Sequence, residues 1–415
     1  MKKVLLSFMV LLISFSFLSC TDKCKETRVI VTRTPILHPF SEIRNSVKAL
    51  PARNIQDPGI ICEKDNYLFI NEVKKGVHVI DNSDPASPRF VAFINIPGNG
   101  DFVIRGNTLY ADSYSDLVSI DITNPSEPKE IGRINEIFTF GLFYNVQWQS
   151  YSDGLIWGDF TEKFDTVNAG CNDDIIVPAV KALRSNLTII GPEYFPKATK
   201  RFAMSGKFLY AISGYSNVQI IDLENGVSPV LIQNFTTEPV LTSINASGDK
   251  LFLGSYLGII MYQNTSSGIP EKILVLPKTA PCDQVIAHDN TAYVLQGSDS
   301  FCSTNPSALS SIDISKNPPK WMKTYMLEGP YKISLKYPYL YVAEEKKGLK
   351  VFDVTDAVAI DQHLLAFKSD IKPKNVLALG KAVLVVTDDN LYQFDISDPK
   401  ILRQLSSIPV KKANN

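Results

Sequence analysis

The sequence predicts an all-β chain in which one structural unit recurs seven times, and three observations carry that reading. An apolar strand, a Gly/Asn turn, a Leu-Tyr-Val type strand and a third strand ending in Asp follow one another repeatedly, usually with a Pro-containing turn next. The pattern is plainest in YLFINEVKKGVHVIDNSDPASP (Tyr67 to Pro88), TLYADSYSDLVSIDITNPSEP (Thr108 to Pro128), YLYVAEEKKGLKVFDVTDA (Tyr339 to Ala357) and VLVVTDDNLYQFDISDP (Val383 to Pro399). A period of about 40 residues with several short strands per unit is that of a β-propeller, whose blades cannot bury their own faces without neighbours. The composition agrees: 45% hydrophobic and 20% charged residues are enough to build a large core. The expected architecture is therefore a seven-bladed β-propeller of four-stranded antiparallel blades.

Residues 1–19 read as a targeting segment. Lys2 and Lys3 precede an apolar run from Val4 to Leu18, and Ser19-Cys20 follows. The run is shorter than the ~20 residues that span a bilayer comfortably. It resembles a bacterial lipoprotein signal peptide, although Phe17 stands where Leu is usual; that resemblance implies acylation of Cys20, which becomes the new N-terminus. The alternative is an ordinary cleaved signal, and in either case the mature protein is exported. The expected location is the bacterial envelope at the outer membrane, with the membrane reached through the lipid anchor.

Residues 20–57 form a leader with Pro35, Pro39 and Pro51 and no long helical period. Its composition suggests a tether, while the run Val29-Ile30-Val31-Thr32 is β-rich enough to add a strand to the body. The propeller itself is expected over 58–410, with repeats at about 58–98, 99–136, 199–240, 241–279, 280–330, 331–370 and 371–410. Each reads as four strands, A to D from the axis outward. All seven have the same phase, so the pattern does not disclose how the ring closes.

The third-strand sequences HVIDNSDP (His78 to Pro85), VSIDITNP (Val118 to Pro125), VQIIDLEN (Val218 to Asn225), LKVFDVTD (Leu349 to Asp356) and YQFDISDP (Tyr392 to Pro399) resemble the LVIVD-repeat family. With the leader, the chain is similar to the surface-associated bacterial lipoproteins of that family. The resemblance implies a propeller fold and an envelope location; it brings no general catalytic mechanism with it.

Asp81, Asp121, Asp222, Asp313, Asp353 and Asp395 recur at the end of strand C, and repeat four has Gln263 there. A carboxylate in this place accepts N–H groups of the following turn. Calcium would need several converging oxygens, and a single recurring acid does not supply them. His38, His78, His288 and His363 lie in unrelated segments, and no GxSxG elbow, P-loop or dinucleotide fingerprint occurs. No metal and no cofactor is therefore expected. A formal net charge of -1 argues against nucleic acid as a partner.

Besides Cys20, the cysteines are Cys24, Cys62, Cys171, Cys282 and Cys302. Export permits disulfides. Cys282 precedes strand A and Cys302 lies in the B-to-C segment of the same repeat, so a Cys282–Cys302 bond is expected; Cys62, inside strand A, is expected to be a buried, reduced thiol.

The insertion at 137–198 holds Trp148 and Trp157 among many aromatics, and FYNVQWQSYSDGLIWGDF reads as a β-hairpin around Ser152-Asp153-Gly154. It is either a self-packing extension of the second blade or an aromatic platform for a ligand. In a four-stranded blade the D-to-A and B-to-C connections share one face, which places the insertion beside the Gly297–Leu309 segment. Aligned A strands put Ile60, Asp101, Arg201, Ser243, Gln284, Lys332 and Asn375 at equivalent positions near the same mouth. The functional expectation is a non-catalytic binding or scaffold protein that recognises a glycan or envelope protein there. Trp148, Trp157 and Tyr151 would be the anchors, and Asp101, Arg201 and Lys332 the polar contacts. The alternatives are a polysaccharide hydrolase or lyase with paired carboxylates under the insertion, and a structural subunit of an envelope complex.

Overall fold

The computed structural model describes residues 25–138, 140–143, 146–151, 153–170, 200–255, 257–276, 279, 284–297 and 307–411. The signal segment with Cys20 lies outside these, as do Cys24, Cys171, Cys282 and Cys302, so the expected disulfide and lipid anchor fall on undescribed residues. The described residues are nearly all-β, with 60% strand and 3% helix.

The described strands form eight sheets, against seven repeats in the sequence. Seven sheets follow the repeats in antiparallel order A-B-C-D. In repeat one these strands are Pro58–Lys64, Tyr67–Glu72, Gly76–Asp81 and Arg89–Asn95. The eighth sheet belongs to the insertion, whose strands Phe140–Phe143, Val146–Ser150 and Leu155–Gly170 are joined by the leader strand Lys25–Pro39. Residues 25–36 and 159–170 constitute a compact unit of their own, within which the Thr161 hydroxyl donates to the Thr34 carbonyl at 3.3 Å. The remaining description concerns the other unit.

Strands B and C are the most buried in each repeat, and apolar residues fill both faces of strand B: Leu68, Phe69 and Ile70 in repeat one are fully buried, as are Leu340, Tyr341 and Val342 in repeat six. Such a strand needs a neighbouring sheet on either side. The core accordingly consists of clusters shared by consecutive repeats, for example Val77, Val79 and Phe69 with Leu109, Val118 and Ile120. Strands A of successive repeats touch, from Pro58–Lys64 through to Asn375–Ala378. The last repeat packs back on the first, where Leu384, Leu391 and Ile408 meet Leu68, Ile70 and Ile80.

The six strand-C aspartates do what their position implies. Their carboxylates accept the N–H two residues on: Ser83 at 3.0 Å, Thr123 at 2.8 Å, Glu224 at 2.7 Å, and Ser315, Thr355 and Ser397 at 2.9 Å. These bonds hold every such carboxyl below the usual range, and that of Asp395 at about 2.

The leader departs from the irregular tether its prolines suggest. A short helix, Phe40–Asn45, follows the first strand, and its Arg44 pairs with the buried Asp116 at 2.8 Å. Strand Lys48–Leu50 then adds a fifth strand to the outer edge of repeat one, and Ile55 forms a parallel bridge with Val410. Open sheet edges offer unpaired N–H and C=O groups, and the leader occupies one of them.

Candidate functional site

The site lies where the A strands begin. The register pairs Ser243 with Gly254, Gln284 with Leu295, Lys332 with Ala343 and Asn375 with Val386. Ile60, Asp101 and Arg201 stand one residue before the corresponding pairs Ile61–Ile70, Phe102–Ala111 and Phe202–Ala211. The seven residues aligned from the sequence are therefore equivalent in register.

Burial divides them. Asp101 and Arg201 are enclosed, with 1% and 0% of their surface exposed, whereas Ile60, Gln284, Lys332 and Asn375 are half-buried. Asp101 accepts the N–H groups of Arg201 at 2.7 Å and Phe202 at 2.9 Å on one oxygen and its neighbour Phe102 at 2.7 Å on the other. Asp112 takes the Arg201 guanidinium at 2.8 Å, with its other oxygen filled by Gly100 N–H, Asp101 N–H and the Asn99 amide. Arg201 lies 4.5 Å from the centre of the Phe138 ring. This network fastens strand A of repeat three to repeat two. It does so where the long insertion replaces the short connection that would otherwise fix their spacing.

Asp101 and Arg201 are thus enclosed side chains and not the open polar contacts expected from sequence, because both Asp101 oxygens and the Arg201 guanidinium are engaged inside the fold. The tryptophans need the same correction. Trp148 is 2% exposed and Trp157 5%, so neither offers a free aromatic face. Trp148 packs edge-on against Tyr114 at 6.1 Å and joins the cluster of Phe138, Phe202 and Leu209. The hairpin itself forms as expected, with Gln149 opposite Trp157, Ser150 opposite Ile156 and Gly154 at φ +78 in the turn. It buries its rings because Tyr114, in the B-to-C turn of repeat two, stands against them; the Lys74 ammonium in the corresponding turn of repeat one donates to Gly158 O at 3.1 Å. The hairpin and the B-to-C turns of repeats one and two therefore share one face, as the topology requires. Tyr151 is half-buried in the hairpin turn, its N–H donating to Leu155 O.

The charges that remain come from several repeats. Lys200, just before Arg201, acts electrostatically on Cys62 in repeat one, Asp101 in repeat two and Lys332 in repeat six. The A strands are where consecutive repeats touch, which brings these groups within electrostatic range. Burial raises the Asp101 carboxyl to about 6, opposed by Lys200 and the Phe202 and Arg201 N–H bonds. Burial, aided by the like charge of Lys200, lowers the Lys332 ammonium to about 8 against the pull of Asp101. Cys62 is a free, half-buried thiol that burial pushes up to about 11.

A second set of residues was readable in the repeats and carries structural weight: the last residue of strand B is Glu72, Ser113, Ser213, Ser255, Gln296 or Glu344 in repeats one to six. Several of them clamp the connection entering strand A. Glu72 accepts Gln56 N–H at 3.0 Å and Asp57 N–H at 2.9 Å, Glu344 accepts Glu328 N–H at 2.9 Å, and the Ser113 hydroxyl donates to Pro97 O at 3.1 Å. Burial opposes the Glu72 charge, but the His78 hydrogen bond at 2.8 Å and the two N–H groups hold its carboxyl below the usual range.

Comparison with known proteins agrees with this architecture. The LVIVD repeat model matches residues 61–95, 100–136 and 331–358. No curated protein matches the chain. Among solved structures, the chain is similar to the computationally designed Ika8 protein, with a TM-score of 0.52 and 7% identity over 88% of this chain and 92% of that one. It is also similar to BamB from Moraxella catarrhalis (TM-score 0.45, 10% identity, 90% and 88% covered) and to Sqt1 from Saccharomyces cerevisiae (0.49, 9%, 88% and 89%), both β-propellers. The chain is accordingly a β-propeller protein that carries LVIVD repeats in three of its segments.

Proposed function

We propose that this protein is a binding or scaffold lipoprotein, exported and held at the outer membrane through Cys20, that recognises a glycan or protein partner on the face carrying the insertion. The observation that supports this reading is the convergence of Lys200 and Lys332 with residues of other repeats at the end of the A strands, on a rigid framework. Rigid scaffolds commonly present recognition groups from one loop-bearing face. The two carboxylates in the same place, Asp101 and Asp112, have both oxygens filled from within the fold and 1% of their surface exposed. Glycoside hydrolysis needs an acid and a base open to the substrate, so this saturation favours binding over catalysis.

The test is steric. A bulky polymer is coupled through Lys346→Cys, an exposed B-to-C turn position on the insertion face, or through Ser126→Cys in a C-to-D turn on the opposite face, each in a background with Cys24, Cys62 and Cys171 changed to Ala. Partners captured from envelope extract or on a glycan array should be lost with the polymer at 346 and kept with it at 126. Loss only at 126, or at neither, refutes the choice of face.

A further inference from the structure

The charges at the axial end do not balance within the fold. Asp101 lies in the field of Lys200, Lys332 and Arg201, and Asp112 in that of Arg201; two carboxylates against three cations leave one positive charge in excess when all are ionised. Asp112 is committed to Arg201 at 2.8 Å, and three backbone N–H groups take both oxygens of Asp101. Among the described residues neither Lys200 nor Lys332 has a hydrogen-bond or ion-pair partner, and both are half-buried. An ammonium removed from water without a counter-charge is costly. The register sets Gln284 and Asn375, both half-buried, at the positions equivalent to Lys332, so two other repeats carry a neutral amide at that level of the A strands.

We infer that the axial end of the A strands is a binding site for one anionic group, the carboxylate of an acidic saccharide, with Lys332 and Lys200 as its charged ligands and Gln284 and Asn375 as partners for sugar hydroxyls. A single excess charge suits a single carboxylate, and a formal net charge of -1 gives the chain no overall positive field to draw a polyanion. Amide groups beside a lysine pair match a ring that carries one charge and several hydroxyls. The depressed basicity of Lys332, caused by burial and Lys200 with only Asp101 opposing, is the mark of the missing counter-ion. This inference rests on the proposed binding face and specifies its ligand.

Calorimetric titration of the mature protein with glucuronate oligosaccharides, and with the same oligosaccharides reduced to the neutral sugar, tests it. The acidic form should bind and the neutral form should bind at least about tenfold more weakly. Lys332→Met and Lys200→Gln should each lose about tenfold or more in affinity for the acidic form, with Lys332→Arg restoring part of it. NMR titration of the Lys332 ammonium gives a second reading: its pKa should rise when glucuronate is added, and unfolding curves show whether each variant is folded. Equal binding of acidic and neutral forms, no binding of either, or lysine variants that bind as wild type would overturn the inference. Lysine-independent binding that the polymer at 346 still blocks would sink the anion site and leave the face standing. Lysine-dependent acid binding that persists with that polymer would sink the face and leave the anion site.

Discussion

Asn82 in repeat one and Gln393 in repeat seven, 311 residues apart, exchange two amide hydrogen bonds of 3.0 and 2.7 Å in a buried seam. Glu63 takes the Gly380 N–H at 2.7 Å beside them, and Lys411 N–H reaches Ile55 O at 2.8 Å. No covalent bond among the described residues joins the two repeats, so the amide pair and the apolar cluster beneath it hold the seam together.

Gln393→Leu should therefore destabilise the protein by about 1–3 kcal/mol, because it leaves the Asn82 amide buried and unsatisfied. Asn82→Leu combined with Gln393→Leu should recover part of the loss, since both polar groups are then gone. Denaturant unfolding of the two single variants and the double variant measures the coupling.

Trp148→Ala should lower stability by about 3–5 kcal/mol, the usual cost of emptying a large aromatic site in a core. The near-ultraviolet dichroism of the insertion should change with it. A stable, unchanged fold would return Trp148 to the role of exposed anchor.

Stability should respond to pH through two groups at the axial end. Asp101 titrates near 6 in the fold against an ordinary 3.8, so the folded chain holds more protons between those values. Its contribution is complete below about 3.8 and is lost as pH rises through 6. Lys332 titrates near 8 against an ordinary 10.5, so here the unfolded chain holds more protons and stability should rise with pH across that interval. Unfolding free energies measured from pH 4 to 10 should lose the first slope in Asp101→Asn and the second in Lys332→Met.

Asp121→Ala should cost about 1 kcal/mol, the net worth of an intramolecular hydrogen bond to its turn. The depressed carboxyls of the strand-C aspartates contribute stability above the ordinary carboxylate range that is lost as pH falls through their lower folded values. Acid unfolding of Asp121→Ala should accordingly start from a lower plateau and show a shallower dependence below pH 4.

Cys20→Ala should free the protein from membranes into the soluble envelope fraction or the medium. Multiple acyl chains hold a protein firmly, whereas one binds only marginally. Fractionation with detection of the mature form decides the matter, and an unacylated protein still in the membrane pellet would contradict the anchor.

Strands and turns were legible in the sequence because each repeat states them locally: Leu68-Phe69-Ile70 and Leu340-Tyr341-Val342 announce the same buried strand, and Asp121 and Asp353 the same turn. The alignment of Lys332 with Asp101 and Arg201 followed from that periodicity. What each of them does was not legible. Arginine is seldom fully buried, and the enclosure of Arg201 depends on Asp112 and Phe138 meeting it in space. Trp148 and Trp157 were misjudged because an aromatic hairpin reads alike whether its face meets solvent or a neighbour such as Tyr114. The seam was hidden because Asn82 and Gln393 repeat nothing; they match only each other.

The carboxylate turns give the two faces of the propeller unequal freedom to change. On the side where strand C passes to strand D, six connections are locked by an aspartate onto the N–H two residues on, so an inserted residue breaks a clasp that the repeat supplies. On the other side the connections are clamped by whatever ends strand B, a glutamate in one repeat and a serine in another. That side tolerates extra length, as residues 137–198 demonstrate. New specificities in proteins built this way should therefore arise by lengthening loops over the axial charges, while the opposite face stays nearly constant in length.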